Sequence, residues 1–124
     1  MEAMSTKIEA PSELRVAKDR ARLSVTWVDG ARDEFSAEML RVLSPSAEVR
    51  GHSEADRKTV SGKRAVTIAD LQPIGHYAVR IVFSDGHDSG LYSWTYLSEL
   101  GREAEARWQG YLDELAAKGL KRDA

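Results

Sequence analysis

From residue 13 onward the apolar positions of the chain follow two spacings. LRVA (14–17) and RLSVTWV (22–28) alternate apolar with polar residues and put Leu23, Val25 and Trp27 on one face, the period-two signature of half-buried strands. Lys18-Asp19-Arg20 supplies a turn between them. Asp29-Gly30 favours the left-handed backbone angles of a tight hairpin, so a short strand through Phe35 is predicted to pair back. Ser36 then stands where an N-cap belongs for AEMLRVL, whose Met39, Leu40 and Leu43 share a helical face, and SPSAEVRG (44–51) ends that helix. Residues 51–64 are charged and poor in large apolar groups, which predicts an exposed loop. AVTIADL (65–71) reads as a strand with Val66 and Ile68 inward, and Pro73 and Gly75 mark a turn. HYAVRIVF (76–83) alternates Tyr77, Val79, Ile81 and Phe83 without a break. After Asp85-Gly86, LYSWTYLSEL (91–100) runs from a short strand into a helix that Ser93 can cap, and Gly101 interrupts it. In 102–119, Trp108, Tyr111, Leu112 and Leu115 fall at i, i+3, i+4 and i+7, one face of an amphipathic helix.

An internal echo runs through this pattern. VTWVDG, Phe35-Ser36 and Leu40 are answered by IVFSDG, Tyr92-Ser93 and Leu97. Each half reads as strand, Asp-Gly turn, strand, serine cap, helix. The expected fold class is α+β: a small antiparallel sheet built from two ββα-like units and covered by helices, the amphipathic C-terminal one among them. Residues 1–12 are polar, carry Pro11 and show no period, and read as a disordered lead-in; 13–101 form the domain, and 102–119 an added helix.

Composition narrows the function classes. Without a cysteine the chain has no disulfide, thiolate metal site or cysteine nucleophile, and it suits a reducing, cytoplasmic setting. Eighteen basic residues against twenty acidic ones, scattered over many segments, make no positive field for a phosphate backbone, so a nucleic-acid partner is not expected. No apolar run approaches the length that spans a bilayer, and no membrane partner is expected. GxSxG, GxGxxG and GxxxxGK[ST] are all absent, which argues against hydrolase and nucleotide chemistry.

The chemistry-bearing residues cluster in FSDGHDSGLYSW (83–94). Asp85, His87 and Asp88 are candidate metal ligands, and His52-Ser53-Glu54 spells the His-x-acid half of an iron facial triad that His87 could complete. The plainer reading is a turn made by Asp85-Gly86, with His87 and Asp88 in solvent or bonded to backbone. Tyr92, Trp94 and Tyr96, with His87, could instead present a surface for docking a protein partner. No catalytic residue set is recognisable.

LRVLSPSAEVRGH (40–52) and IGHYAVRIVFSDGHDSGLYSWTYLSELG (74–101) resemble bacterial proteins related to the amino-terminal domain of gamma-butyrobetaine hydroxylase, also called domain of unknown function 971. The resemblance runs from about Leu14 to Leu100 and implies a stand-alone accessory domain, because in the hydroxylase the oxygenase chemistry lies in another domain. It also implies a protein partner, either an oxygenase or an iron–sulfur carrier, since related domains are joined to iron–sulfur carrier ATPases. Relatives bind a structural zinc through three cysteines and a histidine. The corresponding positions here are Ser44, Ser46, Val49 and His87, so the ligand cysteines are missing and no cofactor is expected. What remains to be expected is that the two turns stay neighbours, with Ser44 or Ser46 hydrogen-bonded to His87.

Overall fold

The computed structural model of the protein describes residues 9–46 and 58–124. Val49, His52 and Glu54 lie outside the described residues. Strands β1 (Glu13–Val16), β2 (Arg22–Thr26) and β3 (Arg32–Ser36) form one antiparallel meander and lead into helix α1 (Ala37–Val42). Strands β4 (Ile68–Ile74), β5 (Ala78–Phe83) and β6 (Leu91–Ser93) form a second meander and lead into α2 (Trp94–Arg102), followed by α3 (Ala104–Lys118). The class is α+β, and each half carries a sheet of its own where a single shared sheet was expected.

The two sheets meet at Arg20. Its backbone carbonyl accepts the Ile68 N–H at 2.8 Å, and its guanidinium donates to the carbonyls of Ile68 (2.6 Å) and Ala69 (2.8 Å). Arg20 takes a positive φ of 62°, a strained conformation for a side chain with a Cβ, held by these three bonds.

The echo in the sequence is a repeat in three dimensions. Both hairpins turn on an Asp-Gly pair with φ of 91° at Gly30 and 92° at Gly86. In each the Asp side chain accepts the N–H two residues on, Asp29 from Ala31 and Asp85 from His87. Ser36 and Ser93 cap their helices alike, accepting from Met39 N at 2.9 Å and Tyr96 N at 3.0 Å. Leu23 pairs with Phe35 as Val79 pairs with Tyr92. The inward faces of both sheets, with Leu40 and Leu97, share one core in which each of these leucines is fully buried. Helix α3 adds a smaller apolar cluster by laying Tyr111 and Leu115 on Val42, its Trp108 and Leu112 packing at the edge.

Several local expectations change. Tyr77 is exposed, because β5 starts one residue later and Tyr77 belongs to the turn after Ile74. Pro73 lies inside β4, which an edge strand tolerates because the missing donor faces no neighbour. Gly101 does not stop α2, which ends one residue beyond it. Ser12, at the end of the lead-in, is tied to β2, its N–H and hydroxyl both donating to the Thr26 carbonyl. Residues 58–64 of the charged loop are tied down. The Val60 carbonyl accepts the Tyr111 hydroxyl, and the N–H groups of Gly62 and Arg64 donate to the carbonyls of Lys121 and Arg122.

Candidate functional site

The turn after α1 and the second Asp-Gly hairpin meet in a polar corner. Ser44 Oγ lies 3.0 Å from His87 Nε2, and Ser46 Oγ lies 2.7 Å from Ser89 Oγ. Ser44 Oγ also accepts the Ser46 N–H at 3.2 Å. Ser44, Ser46 and His87 are all buried, Ser44 at 1 % exposure. Two aromatic hydroxyls reach in from the second half and satisfy the carbonyls at the end of α1. Tyr92 donates to Leu40 O at 2.5 Å, and Tyr96 donates to Leu43 O. Burial raises the Tyr92 phenol well above its ordinary pKa, so it stays a donor.

Asp85 is the electrostatic centre of this corner. Its Oδ2 accepts from Arg41 Nε at 2.8 Å and Lys63 Nζ at 2.6 Å, while Oδ1 takes the His87 backbone N–H. Partial burial alone would raise its pKa. The bonds from Lys63, the His87 backbone and Arg41 outweigh that and hold it at about 2.

The arrangement closes off two chemistries. A serine beside a histidine suggests a nucleophile and its base, but Ser44 has almost no access to solvent and Asp85 is engaged by two cations and a backbone N–H. The zinc implied by the resemblance does not fit. Ser44 and Ser46 present hydroxyls where thiolates are needed, and both are hydrogen-bonded across the corner. Among the described residues no three histidine, aspartate or glutamate side chains converge on a point that could hold a metal ion. Asp85 and His87 are neighbours with their side chains committed elsewhere, and Asp88 is exposed.

The docking surface drawn from His87, Tyr92, Trp94 and Tyr96 is corrected. Tyr92 is fully buried, Trp94 and His87 are buried, and Tyr96 is partly covered with Arg107 over its ring. They face inward because β6 and α2 are the elements that close the core, so these aromatics fill it. Arg41, Lys63, Ser89 and Gly90 complete the corner and were not singled out in the sequence. Gly90 is needed because a methyl group there would meet Ser44 Oγ at 2.5 Å, a close approach that only the folded structure shows.

A different surface is open. Between the first hairpin turn and the last turns of α2 lies a cleft of about 430 Å³. Trp27, Val28 and Ala31 line it from the hairpin, Ser98 and Arg102 from the helix, with the carboxylates of Asp29, Asp33 and Glu9 around it. Val28 is 61 % exposed, the most exposed large apolar residue among those described. Asp33 accepts the Trp27 indole N–H at 2.7 Å and packs against Gly101, which explains that glycine: a methyl there would lie 2.5 Å from the carboxylate.

Fold and corner thus define an α+β protein of two serine-capped halves, with hydroxyls and a histidine paired in the corner between them. The family model for gamma-butyrobetaine hydroxylase-like, N-terminal proteins matches residues 14–98, and the chain belongs to that family. Two proteins solved in solution by NMR are 39 % and 36 % identical to it, each with a TM-score of 0.81. The first match covers 94 % of this chain and 92 % of the other, the second 98 % and 91 %. A crystal structure of a protein of unknown function from Acidithiobacillus ferrooxidans, in the DUF971 family, is 36 % identical, with a TM-score of 0.61 over 73 % of this chain and 91 % of its own. No curated protein matches the chain. No helix among the described residues is long and apolar enough to cross a membrane.

Proposed function

We propose that the protein is a non-catalytic accessory module that docks on a partner protein in the cytoplasm. The observation that carries this reading is the cleft beside Val28, an apolar hairpin tip facing α2 and exposed among the described residues. The closed corner supports it: the histidine and serines that could have done chemistry are spent on holding the two halves together. The family resemblance directs the first candidates, an iron–sulfur carrier or an oxygenase, and so links the module to the handling of metal cofactors.

The test is calorimetric titration of the purified chain into purified candidates, with Val28→Asp beside Tyr77→Asp. Tyr77 is exposed at the start of β5, outside the cleft, and serves as the control. Binding lost in V28D and kept in Y77D is the expected result. Binding that survives V28D unchanged would refute the cleft as the docking face.

A further inference from the structure

The corner and the cleft are the same place in the two halves of the molecule. The end of α1 sits on the second hairpin, and the end of α2 sits on the first. The closest approaches are reciprocal: Ser44, just past α1, touches Gly90, while Gly101, near the end of α2, touches Asp33. Counting along from the matched serine caps and Asp-Gly turns, Ala31 stands where the other half has His87. Ser98 stands where it has Arg41, and Gly101 where it has Ser44. Each of the three is the smaller residue. At Gly101 the Asp33 carboxylate takes up the room, whereas Ala31 and Ser98 line the cleft and leave unfilled what His87 and Arg41 fill in the corner.

The charges differ in the same way. In the corner, Arg41 Nε reaches from α1 to the Asp85 carboxylate at 2.8 Å. In the cleft, Asp29 plays the same part in its turn, accepting the Ala31 N–H at 2.9 Å, but where α1 carries Arg41 the helix α2 carries Ser98. Arg102 lines the cleft and donates to Ser98 Oγ at 3.0 Å, pairing with neither Asp29 nor Asp33. One half of the molecule thus shows, built from its own residues, a guanidinium on the turn's aspartate that the other half lacks at the matching position.

We infer that the cleft receives an arginine side chain of a partner protein, its guanidinium meeting Asp29 as Arg41 meets Asp85 and its stem lying on Trp27 and Val28. This rests on the docking reading and adds the chemistry of what docks. Arginine suits the site better than lysine, because a planar guanidinium can stack on the Trp27 indole while donating sideways to a carboxylate.

The experiment is an NMR titration of the ¹⁵N-labelled full chain with acetyl-Gly-Arg-Gly-amide, beside the same peptide with citrulline or lysine in the centre. The arginine peptide should bind with a Kd on the order of 1 mM, shifting the Trp27 indole N–H and the amides of Val28, Ala31 and Gly101. The citrulline peptide, neutral and nearly the same shape, should bind roughly tenfold more weakly. Asp29→Asn keeps the oxygen that accepts the Ala31 N–H and removes the charge, and it should weaken arginine binding by about tenfold. Ser98→Arg supplies the missing guanidinium from the chain itself and should abolish peptide binding in a fully folded protein. Equal binding of citrulline or lysine, shifts centred elsewhere, or indifference to D29N would overturn the inference. A partner whose binding depends on Val28, together with a negative peptide titration, would sink the arginine and leave the docking reading standing. Partner binding that ignores V28D sinks the docking reading itself.

Discussion

Gly90→Ala is the sharpest test of how the corner holds the halves together. The added methyl would lie 2.5 Å from Ser44 Oγ, 3.1 Å from the Tyr92 ring and 3.4 Å from Pro45. Carbon and oxygen at 2.5 Å overlap heavily, so something must move. Ser44 Oγ is pinned by His87 Nε2 at 3.0 Å and the Ser46 N–H at 3.2 Å, and Tyr92 by its bond to Leu40 O. Overpacking of this kind costs about 1–3 kcal/mol. The loss of a buried hydrogen bond adds about 1 kcal/mol, and the lower entropy of the unfolded alanine chain returns about 0.4–1 kcal/mol. The net expectation is about 2–3 kcal/mol, or roughly 6–15 °C in Tm for a chain of this size. The assay is urea and thermal unfolding of wild type, G90A, Ser44→Ala and the double variant. S44A alone should cost about 1–3 kcal/mol by stripping His87 of a partner. In the double variant the Oγ that the methyl strikes is gone, so the two costs should fall short of additive by about 1–2 kcal/mol. Additivity within about 0.5 kcal/mol would refute the reasoning, since it would mean that residue 90 and Ser44 are not in contact.

Asp85→Asn should lose about 1–2 kcal/mol at pH 7, allowing for solvent screening of a partly exposed carboxylate. Because the folded pKa of Asp85 is depressed to about 2, its contribution is full above the ordinary carboxylate range and lost as pH falls through 2. The gap between wild type and D85N in urea unfolding should therefore shrink from pH 4 to pH 2, and a constant gap would contradict the charge account. Arg122→Ala strands Glu38, which is 5 % exposed and takes two bonds from that guanidinium at 2.8 and 2.7 Å. It should cost about 2–3 kcal/mol, less than a fully buried pair because Arg122 keeps some solvent contact. Amide exchange at Gly62 and Arg64 should quicken with it. Elemental analysis of zinc-treated, tag-free protein should find no stoichiometric metal, whereas one equivalent lost in His87→Ala would show that the corner recruits other ligands.

The sequence made some of this architecture legible because short-range rules governed it. The Asp-Gly turns, the serine caps at Ser36 and Ser93 and the alternation of Val79, Ile81 and Phe83 needed no knowledge of distant residues. Tyr77 broke the alternation only because the turn from Gly75 extends one residue further. The nature of the aromatic segment was not legible, since an alternating aromatic looks alike whether it fills a core or faces a partner. That Tyr92 is buried depends on α1 being brought across to meet it. Gly101 misled for a related reason: glycine inside a helix reads as a break, whereas here it clears room for Asp33 from the other half. The cleft was invisible because it is made by what Ala31 and Ser98 lack beside their counterparts His87 and Arg41.

The crossed seating of each helix end on the opposite hairpin also bears on how the chain reaches its fold. Ser44 must find His87, Arg41 must find Asp85 and Arg20 must find Ile68, all across more than forty residues. Each half provides the seat for the other's helix, so neither offers a finished surface on which to stop. A half-folded intermediate would expose the inner face of one sheet and leave one helix end without its seat. Folding should accordingly be a single cooperative step slowed by closure of the long 43–67 connection, with no early foothold in either half. Such a chain, cut within that connection, should yield two fragments that are each unfolded alone and that regain the native structure only when mixed.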